Sequence, residues 1–81
     1  VPGRELEREI RASLEDVVGL LAIEEVHAHR FGPWLVANLT IGVDGGISVR
    51  DGHRIATEVE QRLLSQVEFM RRVYVHYHPV A

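Results

Sequence analysis

The segment Val73-Tyr74-Val75-His76-Tyr77-His78-Pro79 alternates so that two imidazoles fall on one side of an extended chain. Side chains two apart on a strand share a face and stand about 6–7 Å apart. At that spacing His76 and His78 can serve one metal centre or two adjacent ones, and imidazole is a common ligand of zinc and other transition metals. The chain carries five histidines in 81 residues. His53, in Asp51-Gly52-His53, opens a helical pattern and is the third imidazole of a candidate zinc-type site whose fourth position is open or filled by a carboxylate. Glu24, at the start of an earlier strand, is either a carboxylate ligand or a strand-end residue in water. His27 and His29 form a second same-face pair, read as exposed positions at a dimer face. The competing reading makes all of these plain surface residues, and neither His-Glu-x-x-His nor Cys/His finger spacing is present to decide between them.

These side chains need elements to position them. Residues 3–17 read as an amphipathic helix, with Leu6, Ile10, Leu14 and Val17 as its apolar stripe, Pro2 near its start and Gly19 as its stop. Residues 21–31 read as a strand. Ala22, Glu24, Val26 and Ala28 take one face of it; Ile23, Glu25, His27, His29 and Phe31 take the other. Gly32-Pro33 turns the chain. Residues 34–43 return as a second strand, with Leu35, Ala37, Leu39, Ile41 and Val43 inward and Trp34, Val36, Asn38 and Thr40 outward. Asp44-Gly45-Gly46 is turn chemistry, and Ser48 caps a helix running to about Gln66 on a stripe of Ile55, Val59 and Leu63, flanked by Val49, Ala56 and Leu64. A last strand spans about 72–79 and stops at Pro79.

The order α-β-β-α-β, with single-striped helices and a right-handed crossover into the last strand, predicts an α+β, ferredoxin-like sandwich lacking its first strand. Both helices cover one face of a three-stranded mixed sheet. The other face carries Trp34 and Tyr74 among the histidines, which marks it as a partner surface, a metal surface or both. Trp34, His27, His29 and Tyr74 are the interface candidates.

Composition narrows the function classes. Net charge is −3, with nine arginines and no lysine, and no basic stripe lies beside stacking aromatics, so nucleic acid is not an expected partner. There is no cysteine, which removes disulfides, thiolate sites and cysteine nucleophiles. No serine–histidine–acid arrangement or phosphate-cradling loop is defensible, so an enzyme is not expected. No apolar run approaches the ~18–20 residues of a membrane span, so this segment is not expected to insert directly into a bilayer. The chain opens on Val1 rather than Met, and residues 1–81 are expected to be one domain excised from something longer.

Taken together, four stretches resemble the cytoplasmic C-terminal domain of cation diffusion facilitator metal transporters. They are Val17-Val18-Gly19 at a helix end, the Phe31-Gly32-Pro33 turn, Gly52-His53-Arg54-Ile55-Ala56-Thr57-Glu58-Val59-Glu60, and Val73-Tyr74-Val75-His76-Tyr77-His78-Pro79. The resemblance implies a regulatory homodimerisation domain on the cytoplasmic side of a membrane, joined to the transmembrane domain of the same transporter. It implies His53 and His76 as metal ligands, with His78 where the family often has an acidic residue. Glu24 stands where a first-strand histidine is usual, and Asn38 where a second-strand histidine is usual. The implied cofactor is a divalent transition metal, Zn2+ first. Carboxylate and amide oxygens in place of imidazole shift the preference toward Mn2+ or Fe2+. One site per protomer, or a site of altered selectivity, is the expectation.

Overall fold

The computed structural model describes residues 3–80, so Pro2 at the expected helix start lies outside the described residues. Five elements follow in order: α1 (Arg4–Ser13), β1 (Ala22–Phe31), β2 (Trp34–Asp44), α2 (Val49–Gln66) and β3 (Met70–Val80). β1 and β2 pair antiparallel through the Gly32-Pro33 turn, and β2 and β3 pair parallel across α2. The sheet order is β1-β2-β3, so β2 is central. The expected α+β arrangement is the observed one.

Alternation along β2 builds the core. Leu35, Ala37, Leu39, Ile41 and Val43 are all buried and meet Ile10 and Leu14 from the first helical segment and Ile55, Val59 and Leu63 from α2. Ser48 starts α2 as expected, its hydroxyl accepting the Asp51 N–H at 3.0 Å. Gly52, one turn in, brings the helix backbone against the Tyr77 ring: a Cβ there would stand 2.6 Å from Tyr77. Both helices therefore lie on the Tyr77 side of the sheet, and among the described residues no layer covers the His76–His78 side.

Four elements differ from the sequence reading. α1 ends at Ser13 rather than at residue 17. The Ser13 hydroxyl bonds back to the Glu9 carbonyl at 2.9 Å, which competes with helix continuation. The chain then tightens through Leu14 N–H to Arg11 O and Val17 N–H to Leu14 O, so Leu14 and Val17 reach the core from turns. β3 begins two residues earlier than expected and runs through Pro79, which sits in register with Val43. Proline is tolerated there because β3 is an edge strand. Val49, expected to flank the buried stripe, is 82% exposed on the first turn of α2.

The difference that matters for the site is in β1. The pairing with β2 shifts between Ile23 and Glu25, leaving Glu24 as an extra residue opposite no partner. Ile23 pairs with Ile41 and packs on the core, and Glu25 pairs with Thr40 on the open face. The faces expected for Ala22 and Ile23 are therefore exchanged, and Glu24 does not sit with Val26 and Ala28.

Candidate metal centre

Three successive rows of side chains toward one end of the open face each span all three strands. Ala22, Gly42 and His78 share the first row, Glu25, Thr40 and His76 the second, and His27, Asn38 and Tyr74 the third. The central position of each row is small or polar: nothing at Gly42, a hydroxyl at Thr40, an amide at Asn38. Side chains from the two outer strands, about 10 Å apart, can therefore meet over β2.

At the first row they do meet. The bulge delivers Glu24 to the open face, and its Oε1 lies in contact with His78 Nε2 across the strand that contributes only Gly42. Both side chains are partly exposed, at 36% and 39%. An imidazole nitrogen and a carboxylate oxygen already converging are the donor types a divalent transition metal takes. His76 stands beside His78 with ring centroids 6.2 Å apart and planes 15° from parallel.

One row down, Thr40 Oγ1 donates to Glu25 Oε1 at 3.4 Å, and His27 Nε2 lies 3.9 Å from Glu25 Oε2. His29 is exposed one row further along the same face, in register with Val36. Among the described residues no group of three His, Asp or Glu side chains closes around a common point. The site expected from sequence is brought together in part. Glu24 meets His78, and His76 adjoins them. His53 does not join: it is exposed on α2, with Thr57 Oγ1 at 3.4 Å, in the layer on the other side of the sheet.

Of the interface candidates, Trp34 and Tyr74 are 43% and 54% exposed. Trp34 is not alone. It forms an edge-to-face pair with Phe69 at 6.5 Å, carries the Arg71 guanidinium 5.3 Å above its ring, and is in register with exposed Phe31. Phe69 was absent from the sequence reading because it sits at a helix–strand junction with no periodicity. Phe69 there adopts a positive φ of 68°. Glu25 was also passed over as a site residue. Its signal was the doubled acid in Ile23-Glu24-Glu25-Val26, which breaks an otherwise strict alternation.

This topology is an α+β, ferredoxin-like sandwich with an imidazole and carboxylate face left open. A family model described as the cytoplasmic domain of cation efflux proteins matches residues 2–80, and the chain belongs to that family, a dimerisation domain on the cytoplasmic side of the transporter. Solved structures of the MamM C-terminal domain share the fold. A nickel form of one point variant superposes with a TM-score of 0.91 at 22% identity, covering 98% of this chain and 100% of that one. A doubly substituted variant gives 0.91 at 20%, over 96% and 94%. A copper form of another variant gives 0.90 at 20%, over 96% and 98%. No curated protein matches the chain. Among the described residues no helix is long and apolar enough to cross a membrane.

Proposed function

We propose that this domain binds a divalent transition metal on its open sheet face and uses it to regulate the efflux transporter of which it is part. The observation that carries the reading is the Glu24–His78 contact across Gly42, with His76 beside it. The donor set fits such a metal in kind. Two donors from one chain do not complete a coordination shell, and His53 lies on the far side of the sheet from them. A second copy of the chain, facing this one across its open face, is the source of the missing imidazole. Zn2+ is the first choice, with Fe2+ or Mn2+ admitted by the carboxylate. The nickel and copper forms of MamM domains are consistent with a fold that accepts such ions.

When bound, the metal supplies positive charge and directional bonds that link two chains. Metal binding by imidazole competes with its protonation, so affinity is expected to weaken in acid. Regulation follows if the metal binds a closed dimer more tightly than an open one, which then biases the transmembrane domain. Calorimetric titration of the chelator-treated domain with Zn2+ and with Mn2+, beside His78→Ala and His53→Ala, tests this. Binding lost in both variants is expected. Full affinity in both would remove the metal reading.

A second reading, metal-independent dimerisation, rests on the exposed Phe31, Trp34 and Phe69 at the hairpin end. In that case the chelated domain is a stable dimer whose association zinc does not change.

A further inference from the structure

We infer that Arg11 on α1 is a positioning residue for Glu24: it holds the peptide bond that enters the β1 bulge, and so ties α1 to the metal position on the opposite face of the sheet. The inference rests on the metal-binding reading above and adds to it a connection between the two faces.

The guanidinium is placed from both sides. Ile10, the residue before it, is the one buried residue of α1, and it fixes the helix against the core. Glu7, one turn earlier, accepts from Arg11 Nε at 3.0 Å. Arg11 Nη1 is left directed at β1, where it donates to the Ile23 carbonyl oxygen at 3.1 Å. Among the described residues Arg11 is the one side chain of α1 that hydrogen-bonds a strand.

The Ile23 carbonyl is half of the peptide group whose nitrogen belongs to Glu24. It lies where the pairing of β1 with β2 slips and Glu24 has no partner. A bulge disrupts the ladder locally, so the backbone there is not set by β2 alone. The guanidinium supplies an anchor from outside the sheet, and a hydrogen bond from a charged donor is of the stronger kind. Rotation of this peptide would swing the Glu24 side chain along the face. With the carbonyl held by α1, Glu24 is aimed across Gly42 at His78. A short polar series thus runs from Glu7 through Arg11, the Ile23–Glu24 peptide and the Glu24 carboxylate to His78. Docked α1 favours the carboxylate pose that the metal takes, so metal at Glu24 and His78 favours docked α1 by the same factor. Occupancy of the open face is in this way felt in the helix layer.

A double-mutant cycle separates positioning from general support. Zn2+ affinity of the chelator-treated domain is measured by calorimetry for the parent, Arg11→Ala, Glu24→Gln and the two combined. Arg11→Ala is expected to weaken binding about tenfold, as loss of a group that orients a ligand does. The combined variant should bind no more weakly than Glu24→Gln, because Arg11 then has no carboxylate to aim. Arg11→Lys keeps a charged donor and should recover part of the affinity. The reciprocal signal is spectroscopic: Zn2+ should shift the Arg11 Nε–H resonance in the parent and leave it in place in Glu24→Gln. Arg11 is partly exposed, and a thermal melt confirms that each variant is folded. Parent affinity in Arg11→Ala, or a tenfold loss that adds in full to that of Glu24→Gln, would overturn the inference and leave the metal reading standing. Zinc binding absent from the parent, or unaffected by Glu24→Gln, would overturn both.

Discussion

Gly42 lets an acid on one outer strand reach a base on the other, because it offers no side chain between them. Without that gap Glu24 and His78 would be separated by whatever β2 placed in their row. A Cβ at Gly42 would also stand 2.7 Å from Val80, so any substitution there presses on β3. The carboxylate is the cleaner test. Glu24→Gln keeps the shape and removes the charge. Loss of one carboxylate partner at a metal site is expected to weaken Zn2+ binding by about 10–100-fold. Because the residue is exposed, stability should stay within ~0.5 kcal/mol, and calorimetry beside a urea melt separates the two effects. A different residue pair answers to acid. Asp16, in contact with Arg62, has its carboxyl held below the ordinary aspartate value, first by that hydrogen bond and then by the guanidinium charge. A lowered folded value means that its stabilisation is present above the unfolded pKa of ~4 and is lost as pH falls through the folded value. Asp16→Asn should therefore melt earlier than the parent at pH 7 and converge with it at strongly acid pH. A gap that persists at acid pH would assign the effect to packing.

The elements show which sequence signals carry physical information. The stripes of α2 and β2 were legible because a buried face imposes its period on the residues themselves, and Ser48 was legible because a helix start needs an acceptor for its free N–H groups. Ser48→Ala is expected to cost about 1 kcal/mol, read as a lower midpoint in urea. The early end of α1 was not legible, since Leu14 and Val17 reach the core from turns with the spacing a helix would have used. The bulge in β1 was not resolved either. Its doubled glutamate was visible, but the consequence depends on pairing with β2, which no local pattern contains. The candidate site inherits that limit: the histidines announced themselves, and the carboxylates were placed by register. Helix-to-strand spacing is set at Gly52, and Gly52→Ala should press the Tyr77 ring out of place. Overpacking of this kind costs ~1–3 kcal/mol, more than the roughly 0.5–1 kcal/mol that alanine gains in a helix, so a net loss of stability in the same urea assay is expected.

As a whole the protomer is elongated, about 40 × 20 × 18 Å, with one sheet face open along its length and aromatic side chains at the hairpin end. A chain of this size buries only about 60–65% of its unfolded surface, so a second copy adds stability that the single core lacks. The two uncovered features divide the work. Phe31, Trp34 and Phe69 supply apolar area that needs no metal, and Trp34→Ala is expected to weaken self-association by tenfold or more in sedimentation equilibrium of the chelated domain. On the proposed reading the histidine face supplies the part that depends on metal. If the hairpin ends hold two chains together, the open faces can swing about that contact, and metal shared between them selects the arrangement in which donors from both chains meet. A ligand shifts such an equilibrium only by its difference in affinity for the two arrangements, so the geometry of the dimer must change with metal. The chain has no cysteine, so Ser65→Cys on the exposed end of α2 accepts a single spin label per protomer. Zn2+ should replace a broad inter-label distance distribution by a narrower, displaced one, and His78→Ala should keep it broad. Identical distributions with and without zinc would leave a metal-binding dimer that transmits nothing to the rest of the transporter.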